Sequence, residues 1–218
     1  MFLDLRQDRY VSVPRTLMDT LAPQIVGWEM PPSTHDDSRS WGADADGLAQ
    51  ELLAAGILSR FQEWAPIAPG LPPPADSDFN SLVDIEAAET TPKPWTAAFA
   101  ALITADYALR HTPLWRIVRR ISLRAPIEDG YSHAETKGIA GTLSSGFRTI
   151  RPWYPRDYLC LFDSLALTLF LLRRGIRARW IFGVREDPFA AHCWVQYENV
   201  VLNEYLDRTR LYTPIMAV

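Results

Sequence analysis

Cysteine is scarce in this chain: two thiols in 218 residues, Cys160 and Cys193, with no Cys-x-x-Cys pair. That excludes a disulfide framework. Four histidines, His35, His111, His133 and His192, are scattered, and no His-Glu-x-x-His helix is present, so spacing supplies no zinc site and no metal or other cofactor is expected. No apolar run reaches the roughly 20 residues needed to cross a bilayer. The longest, around Leu159 to Leu172, is interrupted by Asp163, Ser164 and Thr168. A formal net charge of −4 gives no basis for non-specific attraction to nucleic acid. Neither membrane nor nucleic acid is therefore an expected partner. Few thiols and no secretory signal pattern lead to the expectation of a reduced, cytoplasmic protein.

What is present is an ordinary globular balance, 48% hydrophobic and 22% charged. The pattern is of α+β class. Seventeen prolines are unevenly spread, and the run Pro66-Ile-Ala-Pro-Gly-Leu-Pro-Pro-Pro-Ala-Asp-Ser-Asp78 has the composition of a stiff linker poor in core residues. The expected organisation is a small domain over 1–65, a linker over 66–94 and a larger domain over 95–218. No internal repeat is visible.

The larger domain carries the chemistry. Cys160 opens the apolar run Cys160-Leu-Phe-Asp-Ser-Leu-Ala-Leu-Thr-Leu-Phe-Leu-Leu172, which reads as a central helix buried on all faces, with Asp157 as its N-cap. A thiol in a first turn lies near unpaired backbone N–H groups and the positive end of the helix dipole, which favour thiolate. Free cysteine is more often a buried, inert apolar residue; the position of His192 shifts that balance. Gly175, after Arg173 and Arg174, stops the helix, with cations where the dipole is negative. Strands over Arg177–Val184 and about Ala191–Tyr197 should then run antiparallel and return His192 over the helix start. After a turn at Asn199, Val200–Glu204 reads as a third strand. Asn203 and Glu204 point to opposite faces of such a strand, so only one can orient the imidazole. Cys193 should face away from His192, which disfavours a metal pair from these neighbours.

The blocks Cys160-Leu-Phe-Asp-Ser-Leu-Ala-Leu, Leu-Leu-Arg-Arg-Gly-Ile-Arg-Ala, Ile-Phe-Gly-Val-Arg, Pro-Phe-Ala-Ala-His-Cys-Trp-Val and Val-Leu-Asn-Glu resemble the leader peptidases of lasso-peptide biosynthesis, the B proteins. The resemblance spans roughly Tyr158 to Pro214 and implies a transglutaminase-like fold related to papain. It also implies Cys160 as nucleophile and His192 as general base and acid. The family's third member is usually an aspartate at the position held here by Glu204; Asn203, a papain-like amide, is the alternative.

In the small domain, Phe2–Arg6 and Tyr10–Val13 flank Gln7-Asp-Arg9 as a β-hairpin closed by Pro14. Residues 15–26 read as a helix, and Leu48–Ala55, ending at Gly56, as a short amphipathic one. The bland reading is a cap over hydrophobic surface. Leu3-Asp-Leu-Arg-Gln-Asp-Arg-Tyr-Val-Ser-Val13, with a helix ending Leu-Leu-Ala-Ala-Gly-Ile-Leu, is similar to the recognition element of enzymes that modify ribosomally made peptides (RiPPs). That module is winged-helix-like, and the match begins at its second strand, its first having no counterpart. The similarity implies that a precursor's leader adds as a strand along Tyr10–Val13 beneath Leu48–Ala55. Leu3, Leu5, Tyr10, Val11, Val13, Leu48 and Leu52 would contact it. Gln50 and Glu51, with no Lys or Arg on that helix, argue against DNA.

Between the linker and Cys160, helices are expected over Trp95–Arg110, Pro113–Leu123 and Ala134–Ile150, with Trp153 and Tyr154 as a candidate aromatic wall beside the thiol. The resemblances imply a cysteine peptidase that holds a lasso precursor by its leader and cleaves leader from core. Its partners would be that precursor and an asparagine-synthetase-like cyclase. The alternatives are a non-catalytic precursor adaptor and a transglutaminase-like acyltransferase.

Overall fold

A computed structural model of the chain describes residues 2–4, 9–11, 47, 49–50, 53–54, 71–78, 95–123 and 133–218. The chain divides into two compact units, Met1–Ala65 and Pro66–Val218. In the first, β1 (Phe2–Asp4) and β2 (Arg9–Val11) pair antiparallel with Leu3 opposite Tyr10, as the alternating apolar pattern of the hairpin predicts. Gly47, Ala49, Gln50, Leu53 and Ala54 are helical, within or beside the amphipathic segment. Leu3, Tyr10 and Val11 thus lie on the hairpin. Leu5, Val13, Leu48 and Leu52, and the helix expected over 15–26, lie outside the described residues.

The second unit is a five-stranded sheet with helices packed on it. Its elements are β3 (Ser77–Asp78), α1 (Trp95–His111), α2 (Leu114–Ser122), α3 (His133–Ile150), α4 (Cys160–Leu172), β4 (Arg179–Arg185), β5 (Ala190–Tyr197), β6 (Val200–Val201), α5 (Leu206–Thr209) and β7 (Thr213–Ala217). The sheet order is β3-β6-β5-β4-β7, parallel only between β3 and β6. α4 is the hub: Phe162, Leu165, Ala166, Leu167, Phe170 and Leu171 are fully buried, between α1 on one side and β4 and β5 on the other. Its near-continuous apolar sequence is what a helix enclosed on all sides requires. Gly175 ends it at φ 80°, a left-handed conformation glycine adopts without penalty, and the Ile176 N–H donates back to the Leu171 carbonyl at 3.0 Å.

Three expectations need correcting. The tail of the proline-rich stretch is part of the sheet: Ser77–Asp78 pairs alongside Val200–Val201, Ala75 packs on the core, and the Pro73 carbonyl accepts from Gln196 Nε2 at 2.8 Å. Composition hid this because short edge strands need few apolar residues. The third strand stops at Val201, since Asn203 turns its amide inward instead of continuing the ladder. Asp157 does not cap α4. Leu159 holds the cap position, and Asp163, inside the first turn, accepts the Leu159 N–H at 2.9 Å.

Arg151, 4% exposed, fixes the chain into α4. Its Nε pairs with Asp163 Oδ1, Nη1 reaches the Tyr154 carbonyl at 3.2 Å, and Nη2 donates to the carbonyls of Arg156 and Asp157, each at 2.9 Å. The guanidinium also lies 4.4 Å from the Tyr158 ring centroid and 5.0 Å from that of Phe162. Burial pushes the Asp163 carboxyl up, and Arg151 opposes that shift. Arg151→Met should cost about 3 kcal/mol, the lower end of the range for a broken interior ion pair, because Asp163 retains some solvent contact. Urea unfolding of the two proteins measures it; a difference near zero would show that the segment stands without the arginine.

Candidate active site

Cys160 is the first residue of α4 and is half-buried, while His192 lies near the start of β5 at 6% exposure. The antiparallel β4–β5 pair sets Gly183 opposite His192, and so returns the imidazole to the helix start. A cleft of about 370 Å³ opens there, lined by Cys160, His192, Cys193, Asn203 and Glu204 among others. His192 Nε2 stands 3.2 Å from Glu204 Oε2, within ion-pair distance though without the alignment of a full N–H···O hydrogen bond. Cys160 lines the same cleft as the imidazole, and each favours the charged form of the other.

Between the two neighbours left open by the sequence, the chain brings Glu204 to the imidazole. Asn203 is occupied elsewhere: its Oδ1 accepts the Val195 N–H at 2.7 Å, and its Nδ2 donates to Ser164 Oγ at 2.9 Å. Ser164 Oγ in turn donates to the Cys193 carbonyl at 3.1 Å. This amide–hydroxyl bridge pins α4 to β5 behind the site. Glu204 is shared with Arg208, whose Nη1 lies 3.2 Å from the same Oε2, and its own carboxylate accepts the Tyr205 N–H at 3.0 Å.

The electrostatics favour a charged pair. Hydrogen bonding from Cys193, against the cost of burial and with help from His192, holds the Cys160 thiol down at about 4. Burial works against a charged imidazole, yet its interactions with Cys160 and Glu204 prevail and raise His192 to about 9. Burial also penalises the Glu204 carboxylate, but His192, the Tyr205 N–H and Arg208 keep it below its ordinary range. Between these limits the resting state is thiolate beside imidazolium, and the low-pKa thiol is a ready nucleophile. The Cys160 N–H, in the unpaired first turn of α4, is a natural oxyanion donor. Among the described residues, no cluster of three or more His, Cys, Asp or Glu could hold a metal ion.

Several residues at this site escaped the sequence reading. Tyr158 and Tyr205 line the cleft, where Trp153 and Tyr154 were expected; Tyr154 instead stacks on Phe162 with centroids 5.7 Å apart, and Trp153 meets Trp95. Arg148, Arg151 and Arg208 also line it. Arg208 was discoverable, since it follows Glu204 by four residues, the spacing of a helical ion pair. Cys193 does sit on the strand as expected, and it lines the cleft together with Cys160.

The imidazole is walled by Trp194, centroids 6.2 Å away, and Tyr212 at 5.1 Å. Both lean into the space above Gly183, where an added Cβ would meet the Trp194 ring at 2.8 Å and Tyr212 Cβ at 3.1 Å. Gly183→Ala should therefore displace these rings, destabilise the fold by about 1–3 kcal/mol and slow thiol alkylation by disturbing His192. Thermal unfolding and labelling rates check this, and an unchanged rate would show that the rings do not hold the imidazole.

The pH dependence has a defined sign. Falling pH through about 4 protonates the Cys160 thiolate, and rising pH through about 9 removes the His192 proton. Iodoacetamide should therefore label Cys160 rapidly at pH 6, and turnover should fall on both sides of that window. Cys193, pushed well above an ordinary thiol by its contact with Cys160 and by burial, should stay unlabelled there. Peptide mapping after brief labelling separates the two cysteines; a Cys160 that labels only above pH 8 would remove the ion pair.

No curated protein and no solved structure matches the chain. The family model described as the transglutaminase-like superfamily matches residues 99–217, more than half of the sequence, and spans Cys160, His192 and Glu204. Proteins of that superfamily are often cysteine peptidases or acyltransferases, in keeping with a thiolate, an imidazole and an acid in one cleft. The chain belongs to the transglutaminase-like superfamily.

Proposed function

We propose that this protein is a leader peptidase, which binds the leader of a ribosomally made lasso precursor and cleaves one peptide bond between leader and core. The observation that carries the hydrolase part is the convergence of Cys160, His192 and Glu204 in one cleft. The Cys160 thiolate adds to the scissile carbonyl, and the oxyanion develops beside the first-turn N–H groups of α4. Collapse expels the core's amine, which takes its proton from the His192 imidazolium and leaves the leader as a thioester on Cys160. Neutral His192 then takes a proton from water, whose attack releases the leader carboxylate and frees the thiol. Glu204 holds the ring and stabilises its charge in both half-reactions.

Leader recognition is supported by the β1–β2 hairpin, whose Tyr10 and Val11 lie on the strand expected to receive an added strand. Tethering through the leader raises the local concentration of the scissile bond, so a short cleavage motif suffices. The freed core N-terminus would pass to a separate ATP-dependent, asparagine-synthetase-like cyclase.

The superfamily match favours a second reading, transfer of the acyl group to an amine in place of water. Mass spectrometry of products separates the two, because hydrolysis adds one water while transfer adds the amine. Incubating the purified protein with its cognate precursor should yield free leader and core. Cys160→Ala and His192→Ala should each lower kcat by at least about 10³-fold, and Glu204→Gln by about 10²-fold. Excess free leader should inhibit competitively. Full cleavage by Cys160→Ala would overturn the nucleophile, and binding without any cleavage would leave an adaptor for the cyclase.

A further inference from the structure

Cys193 is a buried nucleophile that the hydrolytic sequence does not consume. It is 3% exposed and lines the same cleft as Cys160, close enough that each thiol perturbs the ionisation of the other. Its backbone is held there by Ser164 Oγ on its carbonyl and by the β4 ladder, with Phe182 opposite. Both cysteines are free thiols in this structure. We propose that Cys160 and Cys193 form a reversible oxidation site, in which a peroxide oxidises Cys160 and Cys193 closes a disulfide onto it.

The chemistry balances in two steps. The Cys160 thiolate attacks one oxygen of the peroxide and the O–O bond breaks, giving a sulfenic acid while the leaving hydroxide or alkoxide takes a proton from the His192 imidazolium and departs as water or alcohol. The Cys193 sulfur then attacks the sulfenic sulfur, the S–O bond breaks, and water leaves with the Cys193 proton. A small thiol reverses the closure by exchange, and is itself oxidised to its disulfide. Cys160 suits the first step, being half-exposed in an open cleft beside a cation that favours its thiolate.

Cys193 suits the second step for a less obvious reason. In the reduced site its thiol is held protonated chiefly by donating to Cys160, with burial and the nearby negative charge adding to that. Oxidation of Cys160 to a neutral sulfenic acid abolishes the charged acceptor, so the resolving thiol becomes easier to ionise only after its target has formed. The sulfurs need to close to about 2.05 Å, a movement that falls to the Cys160 side chain, which is only half-buried and opens on the cleft. The consequence is an inactive but recoverable nucleophile, protected from sulfinic and sulfonic acids.

The proposal rests on Cys160 being a reactive thiolate, though not on which bond the protein cleaves. The test treats the full chain with hydrogen peroxide, maps peptides without reduction, and measures iodoacetamide labelling of Cys160 before and after dithiothreitol. The wild type should give a Cys160–Cys193 cross-linked peptide, lighter by two hydrogens, with labelling lost and then restored by dithiothreitol. Cys193→Ala should instead accumulate Cys160 heavier by two oxygens, with labelling not restored. Wild-type protein that goes to the sulfinic acid without a cross-link overturns the proposal, as does equal recovery in Cys193→Ala. If that variant misfolds by circular dichroism, the wild-type peptide map decides alone. A Cys160 that labels at pH 6 but never cross-links sinks this inference and spares the peptidase. Cross-linking in a protein that leaves its precursor uncut does the reverse.

Discussion

The ion pair between Arg151 and Asp163 is the constraint on which the rest of the site depends. An acid in the first turn of a helix is favourable to the dipole, and Asp163 also satisfies the Leu159 N–H. The same acid lies three residues from a thiolate, and Cys160 contributes to its raised pKa. Arg151 reconciles the two by neutralising Asp163 from inside the protein, while its remaining N–H groups gather the carbonyls of the approaching chain. The nucleophile is thus presented at an open helix start whose supporting acid is already engaged.

The opposite wall is organised by neutral groups. Ser164 and Asn203 tie α4 to β5 through the Cys193 carbonyl and the Val195 N–H, which places a polar strut inside an otherwise apolar contact. A buried polar link of this kind is useful only when its members are satisfied, and here the side chains of both residues are. With Asn203 spent on the strut, Glu204 is the residue delivered to the imidazole. The longer side chain is accommodated because the backbone leaves the sheet after Val201, so the carboxylate approaches from a turn, not from a ladder position.

Much of this was legible in the sequence. The continuous apolar pattern of Cys160–Leu172 gave that helix its bounds, and Gly175 with the two arginines marked its end, because burial and chain reversal are strong local signals. The β4–β5 pair followed from β-rich runs, and with it the return of His192. The choice between Asn203 and Glu204 was not legible, since it turns on where a strand ends, and that depends on an amide finding Ser164 across the fold. The role of Arg151 was equally hidden: nothing local distinguishes a buried arginine from a solvated one. For Cys193, strand alternation tells faces apart but does not show that it and His192 both reach the lip of a helix.

Glu204, Tyr205, Arg208 and Tyr212 all come from one short corner, the turn after β6 through α5 to the start of β7. The acid that pairs with the imidazole, the cation that shares it and the ring that walls it therefore travel together, while the thiol belongs to a separately anchored helix. The cleft is in effect a jaw with one fixed and one adjustable side. A change of length or sequence in this single corner would retune acidity, ring tilt and entrance width at once, without touching the core that holds the nucleophile.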